Sequence, residues 1–154
     1  MSIRSLPIRS KLNQILKMWP RGTIAVSSWF KTQDISRQLL DSYKKSEWVN
    51  RIGRGAYSRT DDFVDWTGGL YAIQEQLKLP IHIGSKTALQ ISGIFHQIPL
   101  GKGQNVFLFG KTGVKLPKWF KEYKWDVKIH YTIYENDSKI NLSGHEVNSR
   151  VLSG

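Results

Sequence analysis

The stretch Val26-Ser-Ser-Trp-Phe-Lys-Thr-Gln-Asp-Ile-Ser-Arg-Gln-Leu-Leu-Asp-Ser-Tyr-Lys-Lys-Ser-Glu-Trp-Val-Asn-Arg-Ile-Gly-Arg-Gly-Ala-Tyr-Ser-Arg59 reads as two short helices, a tight turn and a hairpin. The first helix covers about Val26 to Thr32, with Trp29 and Phe30 on its buried side. Asp34-Ile35 makes the connection, and Ser36 suits the N-cap of a second helix running to about Ser46, since a serine hydroxyl can accept from an otherwise unpaired N–H of the first turn. Beyond it, Trp48 to Ile52 and Ala56 to Arg59 flank Gly53-Arg-Gly55, a three-residue loop whose glycines can supply positive φ. Two helices, a turn and a hairpin in that order predict a winged helix-turn-helix.

With Ser36 as the origin of a helical wheel, Leu39, Leu40 and Tyr43 fall on one side and Arg37, Gln38, Asp41 and Lys45 on the other. The outer side carries groups suited to base edges, arginine for guanine O6 and N7 and glutamine for adenine N6 and N7. Lys44 and Lys45 are placed for phosphate contact. Arg54 lies at the hairpin tip, with Arg51 and Arg59 on its strands, so a wing could set positive charge along a backbone or into a minor groove. The candidate DNA-binding set is therefore Ser36, Arg37, Gln38, Asp41, Lys44, Lys45, Arg51, Arg54 and Arg59. Solvated charge on an ordinary helix, and a generic glycine turn, are the competing explanations.

Upstream, Ile8, Leu12, Ile15, Leu16 and Trp19 keep helical spacing until Pro20-Arg-Gly22 ends it. Downstream, Asp61, Asp62 and Asp65 suit the start of a helix near Asp62, with Trp66, Leu70, Ile73 and Leu77 on one face and Pro80 as its stop. The remainder predicts a strand at Ile81 to Ile83, a Ser85-capped helix carrying Ala88, Leu89, Ile91 and Phe95, and a strand at Asn105 to Phe109. A short helix after Pro117, a strand at Val127 to Tyr134 and a flexible polar tail complete the chain. The fold class is α+β: an N-terminal winged helix-turn-helix (1–60), a small mixed α/β region (61–134) and a tail (135–154).

The 154 residues carry a net charge of +11. Residues 1–60 hold 12 Lys/Arg against 3 Asp/Glu, so the excess there is +9, leaving +2 for the rest. A basic lobe on a near-neutral body points to a polyanionic partner, because neutralised phosphates release counterions. The absence of cysteine removes disulfides, thiolate zinc sites and cysteine nucleophiles, and fits a reducing compartment. The opening Met1-Ser-Ile-Arg lacks the apolar run of roughly 7–15 residues of a signal peptide, and no run nears the roughly 20 residues that span a bilayer. A cytoplasmic protein without membrane contact is expected.

Catalytic patterns are sparse. Gly101-Lys-Gly103 and Gly53-Arg-Gly55 lack the spacing of phosphate-binding loops, and His82, His96, His130 and His145 have no metal-ligand spacing. Glu122-Tyr-Lys124 has the Glu-x-Lys spacing of many metal-dependent nucleases, but no aspartate occurs from residue 66 to 125 to complete a site. Ser85 and Lys86 could hold an anion at a helix start, although a plain N-cap explains the serine. The expectation is a protein that is not an enzyme and uses neither cofactor nor metal.

The motifs Trp19-Pro-Arg-Gly-Thr23, Ile35-Ser-Arg-Gln-Leu39, Arg51-Ile-Gly-Arg-Gly-Ala-Tyr57, Asp65-Trp-Thr-Gly-Gly-Leu-Tyr71 and Leu79-Pro-Ile-His82 resemble the AbiEi-type antitoxins of type IV toxin-antitoxin systems, which are transcriptional regulators. Lys86-Thr-Ala-Leu89, Pro99-Leu100, Phe109-Gly110 and Leu116-Pro-Lys-Trp-Phe120 extend the similarity, which runs from about residue 10 to about residue 133. The resemblance implies a winged-helix domain that binds double-stranded DNA at repeats in its own promoter, in an abortive-infection setting. It also implies a following domain that counteracts a cognate nucleotidyltransferase toxin. Family members continue with helical sequence where this chain has a polar tail, so the expectation is that the chain holds the DNA-reading part. An autorepressor, bound as a homodimer on its operator, is the leading expectation. A protein-interaction module that meets an acidic toxin surface with its basic face is the alternative.

Overall fold

Leu12, Ile15 and Trp19 recur at three- and four-residue intervals and bury one face of helix α1 (Ile8–Met18) and the residue that follows it. The computed structural model describes residues 8–84, 103–135 and 150–153, and the chain divides into two units, Met1–Lys78 and Leu79–Gly154. In the first unit, Trp19 Nε1 donates to the Thr23 carbonyl at 3.0 Å and closes the loop after α1. Strand β1 (Ala25–Val26) then leads directly into helix α2 (Ser27–Thr32). Phe30 is the hub of the core: its ring meets Trp19 at 5.5 Å, Trp29 at 5.3 Å and Tyr57 at 5.9 Å, all edge to face, the favoured arrangement for aromatic quadrupoles.

The turn after α2 depends on Asp34, which takes φ +59, a left-handed conformation that aspartate tolerates better than most residues. Ile35 then returns to the core, its N–H donating to the Phe30 carbonyl at 3.0 Å. Helix α3 (Arg37–Lys45) starts as the sequence predicts: the Ser36 hydroxyl accepts from the Leu39 N–H at 3.1 Å. Ser36→Ala is expected to cost about 1 kcal/mol, read as a lower urea midpoint at unchanged slope. Leu40 and Tyr43 are its buried face. Burial raises the Tyr43 phenol above its ordinary value, so it stays neutral at any pH used for a binding assay. Glu47, at φ +61, ends the helix, with Glu47 N donating to the Lys44 carbonyl and Trp48 N to the Tyr43 carbonyl. This is the paired 5→2 and 6→1 pattern that satisfies the last carbonyls.

Strands β2 (Val49–Gly53) and β3 (Ala56–Arg59) form the wing, and the sheet order is β1-β3-β2, antiparallel throughout. The expected three-residue loop is shorter in the structure. Gly53 stays in the ladder opposite Ala56, a bulge between Arg51 and Gly53 absorbs the extra residue, and of the two glycines only Gly55 has positive φ, at +77.

The next helix, α4, spans Trp66–Tyr71 rather than starting near Asp62. Asp65 is its N-cap and accepts from the N–H groups of Thr67 and Gly68. Asp62 is engaged elsewhere, accepting from the Gly22 N–H at 2.8 Å. A π-helical turn (Ala72–Gln76) follows, and Gln76 Oε1 accepts from the Val26 N–H at 2.8 Å. Together with the bond from Ile24 N to the Gly68 carbonyl, this ties α4 to β1. The first unit therefore extends to Lys78, past the residue-60 boundary read from the sequence.

The second unit is built on a sheet of order β4-β5-β6-β7, with β4 (Ile81–Ile83), β5 (Gln104–Lys111), β6 (Val127–Tyr134) and β7 (Arg150–Ser153). Strands β5 and β6 run parallel, which requires a crossover, and helix α5 (Lys118–Glu122) lies in it. Ile81, Val106, Leu108, Trp119, Phe120 and Tyr131 are buried. The tail expected to be flexible contributes β7, antiparallel to β6 from His130↔Ser153 to Ile133↔Arg150. The predicted Ser85-capped helix, the Lys86-Thr-Ala-Leu89 and Pro99-Leu100 motifs, His96 and His145 lie outside the described residues. Among the described residues no helix is long and apolar enough to cross a membrane.

Candidate nucleic-acid interface

Helix α3 packs through Leu40 and Tyr43, while Arg37, Asp41 and Lys44 are exposed along the flank of that buried face. Arg37, Asp41 and Lys44 follow one another at four- and three-residue spacing, which puts them on a single stripe. That stripe forms one wall of an open cleft of about 560 Å³. The wing supplies the opposite wall through Arg51, Arg54 and Gly55, and α2 closes the end with Ser27 and Lys31. Tyr57 and Leu40 lie at its base.

Local structure explains why these elements meet. The Ser27 N–H donates to the Gly55 carbonyl at 2.9 Å, so the wing turn is bonded to the start of α2. Tyr57 pairs with Arg51 across the hairpin and with Ala25 on its other side. Its ring contact with Phe30 then fixes the wing against the helical core. The cleft carries five cations, Lys31, Arg37, Lys44, Arg51 and Arg54, against the single carboxylate of Asp41. All six side chains belong to exposed residues, and their charges face one opening. A surface of this shape and sign can hold a phosphodiester backbone while presenting Arg37 and Asp41 to base edges.

Of the nine residues singled out in the sequence, the structure brings six to this cleft: Ser36, Arg37, Asp41, Lys44, Arg51 and Arg54. Gln38 and Lys45 are exposed but are not among the residues that line it, because they sit roughly 90° round α3 from the Arg37 stripe by the 3.6-residue repeat. Lys44 takes the place on the stripe that the wheel gave to Lys45. Arg59 is turned inward. Its guanidinium Nη1 donates to the carbonyls of Leu16 at 3.1 Å and Trp19 at 3.3 Å, and its Nε lies 3.9 Å from Asp62 Oδ2, with only 11% of the side chain exposed. Its charge therefore closes the C-terminal end of α1. It lines a separate depression with Lys17 and Arg21, and Arg21 in turn lies 3.6 Å from Asp62.

Lys31 and Ser27 are among the cleft residues that sequence reading missed. Helix α2 has only six residues, too few for a hydrophobic period to assign its outer face, and the Ser27 contact depends on a turn nearly thirty positions away in sequence, about the length of a supersecondary unit.

Elsewhere, Glu122 of the Glu-x-Lys pair lies 3.7 Å from Lys118, one turn back on its own helix. His130 stacks on Phe107 at 4.9 Å and bonds to Asn105 at 2.8 Å, while His82 is exposed on β4. Among the described residues no group of three or more His, Asp or Glu side chains is placed to hold a metal ion.

The model of one family, described as transcriptional regulator, AbiEi antitoxin N-terminal domain, matches residues 8–100. No curated protein matches the chain.

Proposed function

The chain belongs to the AbiEi antitoxin N-terminal domain family of transcriptional regulators, and from that premise we propose that it binds double-stranded DNA in a sequence-specific manner, at repeats in its own promoter, as an autorepressor. The cleft between α3, α2 and the wing, with five cations against one carboxylate, carries this reading. Helix α3 enters a major groove with Arg37 toward a guanine. Arg51 and Arg54 of the wing, Lys31 of α2 and Lys44 take adjacent phosphates. Ser36 is a helix cap that borders the groove. No catalytic step, cofactor or metal enters this mechanism. The protein acts in the cytoplasm, where its DNA is, and serves as the antitoxin-side component of a type IV system with a nucleotidyltransferase toxin as partner.

Footprinting on the DNA upstream of its own gene tests the reading. Protection of two half-sites about 34–36 Å apart would also reveal a homodimer on the operator. Salt titration then separates the roles of the side chains. Arg54→Ala is expected to weaken operator and random duplex alike and to lower the slope of log K against log salt by about 0.9, one phosphate contact. Arg37→Ala is expected to weaken the operator about tenfold more than random DNA. Equal losses from both variants would remove the assigned roles. No protection at moderate salt, together with co-purification of the neighbouring gene product, would instead favour a surface for an acidic protein partner.

A further inference from the structure

Asp41 is a carboxylate in a seat shaped for a polyanion. It shares its helix stripe with Arg37, one turn before, and Lys44, just under one turn after, and the wing's Arg51 and Arg54 line the facing wall. Yet among the described residues it makes no hydrogen bond and no ion pair within 4.0 Å. The cations around it therefore do not use Asp41 as a structural counter-ion, and its charge is left to meet the incoming DNA. Beside phosphates that charge is repulsive, so it weakens binding to any duplex that offers it no donor.

The major-groove edge offers a donor at cytosine N4 and adenine N6, while thymine O4 and guanine O6 and N7 are acceptors. Adenine N6 lies between two acceptors, its own N7 and the O4 of the paired thymine, which oppose a carboxylate; cytosine N4 has an acceptor on one side only, the O6 of the paired guanine. We propose that Asp41 is a specificity-determining residue that accepts a hydrogen bond from the N4 amine of a cytosine, beside the guanine that Arg37 contacts. The assignment rests on the DNA-binding reading above. Four residues of helix advance about 6 Å along the axis, roughly two base steps at 3.4 Å each. For a helix lying along the groove, the guanine of Arg37 and the cytosine of Asp41 then fall within about two steps of one another.

Selection from a library of duplexes with a randomised core, using the full chain and the variants Asp41→Asn and Asp41→Ala, tests it. The wild type is expected to select a consensus containing that cytosine, with a preference of about tenfold over the other bases on synthetic duplexes differing only there. Asp41→Asn exchanges an acceptor-only group for one that can bond bidentately to adenine, so cytosine gives way to adenine at that position and the rest of the consensus is unchanged. Asp41→Ala loses the cytosine preference without gaining adenine. Both variants bind a random-sequence duplex more tightly than the wild type. A consensus that survives both substitutions intact, with affinity shifted equally on every duplex, overturns the assignment and reduces Asp41 to bulk charge. A wild type that selects no consensus removes the DNA-binding reading itself, a different result from the first.

Discussion

Gly68→Ala is expected to destabilise the first unit by at least about 3 kcal/mol, the upper range for overpacking, and to lower its melting temperature by roughly 10 °C or more. A Cβ at residue 68 would lie 2.0 Å from the Gly22 carbonyl oxygen and 2.9 Å from Val64 Cγ1. The nearer obstacle is backbone, and it cannot swing aside as a side chain would. Gly22 is itself held, at φ +74 and with its N–H on Asp62. The Gly68 carbonyl meanwhile accepts from Ile24 N, so α4 cannot retreat without breaking the bond that ties it to the segment leading into β1. Calorimetry of the variant reads the effect. A melting temperature within two degrees of wild type, at roughly half a kcal/mol, would show that the close approach of α4 is dispensable.

The second large effect separates two arginines of the same hairpin. Arg59→Ala is expected to cost about 2–4 kcal/mol of stability, since it uncovers two helix-end carbonyls and leaves the Asp62 carboxylate, 5% exposed, with only the largely exposed Arg21 as a guanidinium partner. Arg54→Ala leaves stability within about 0.5 kcal/mol, as for most exposed sites. Their effects on DNA are expected to be reversed. In the fraction of Arg59→Ala that remains folded, the salt slope equals that of wild type, whereas Arg54→Ala lowers it. A reduced slope with unchanged stability for Arg59→Ala would mean that its guanidinium reaches phosphate after all.

Local patterns in the sequence carry much of this fold. The spacing of Leu12, Ile15 and Trp19, the Ser36 cap and the Gly55 turn each act over a few residues, and each appears in the structure where its pattern falls. What escaped depends on contacts across forty or fifty positions. Asp62 looks like a helix-start residue by composition but is claimed by Gly22 N, and nothing near Gln76 in sequence marks it as the acceptor that closes the free N–H of Val26. The same holds at the candidate site. Arg59 reads as a wing cation because it ends a basic hairpin, and only the carbonyls of Leu16 and Trp19 reveal where its charge goes. The helical wheel identified Arg37 and Asp41, but it could not distinguish the Lys44 stripe from the Lys45 stripe without the opposite wall of the cleft.

Because the Gly55 carbonyl is bonded to the first N–H of α2, and Phe30 of α2 shares one core with Leu40 and Tyr43 of α3, the wing is tied to the helix pair that it faces. In the proposed DNA complex, the duplex rather than the protein would then adjust its groove to enter. Base pairs that no side chain touches would contribute to selection in such a complex through the stiffness of their stacking, with flexible pyrimidine–purine steps admitted at lower cost than rigid tracts.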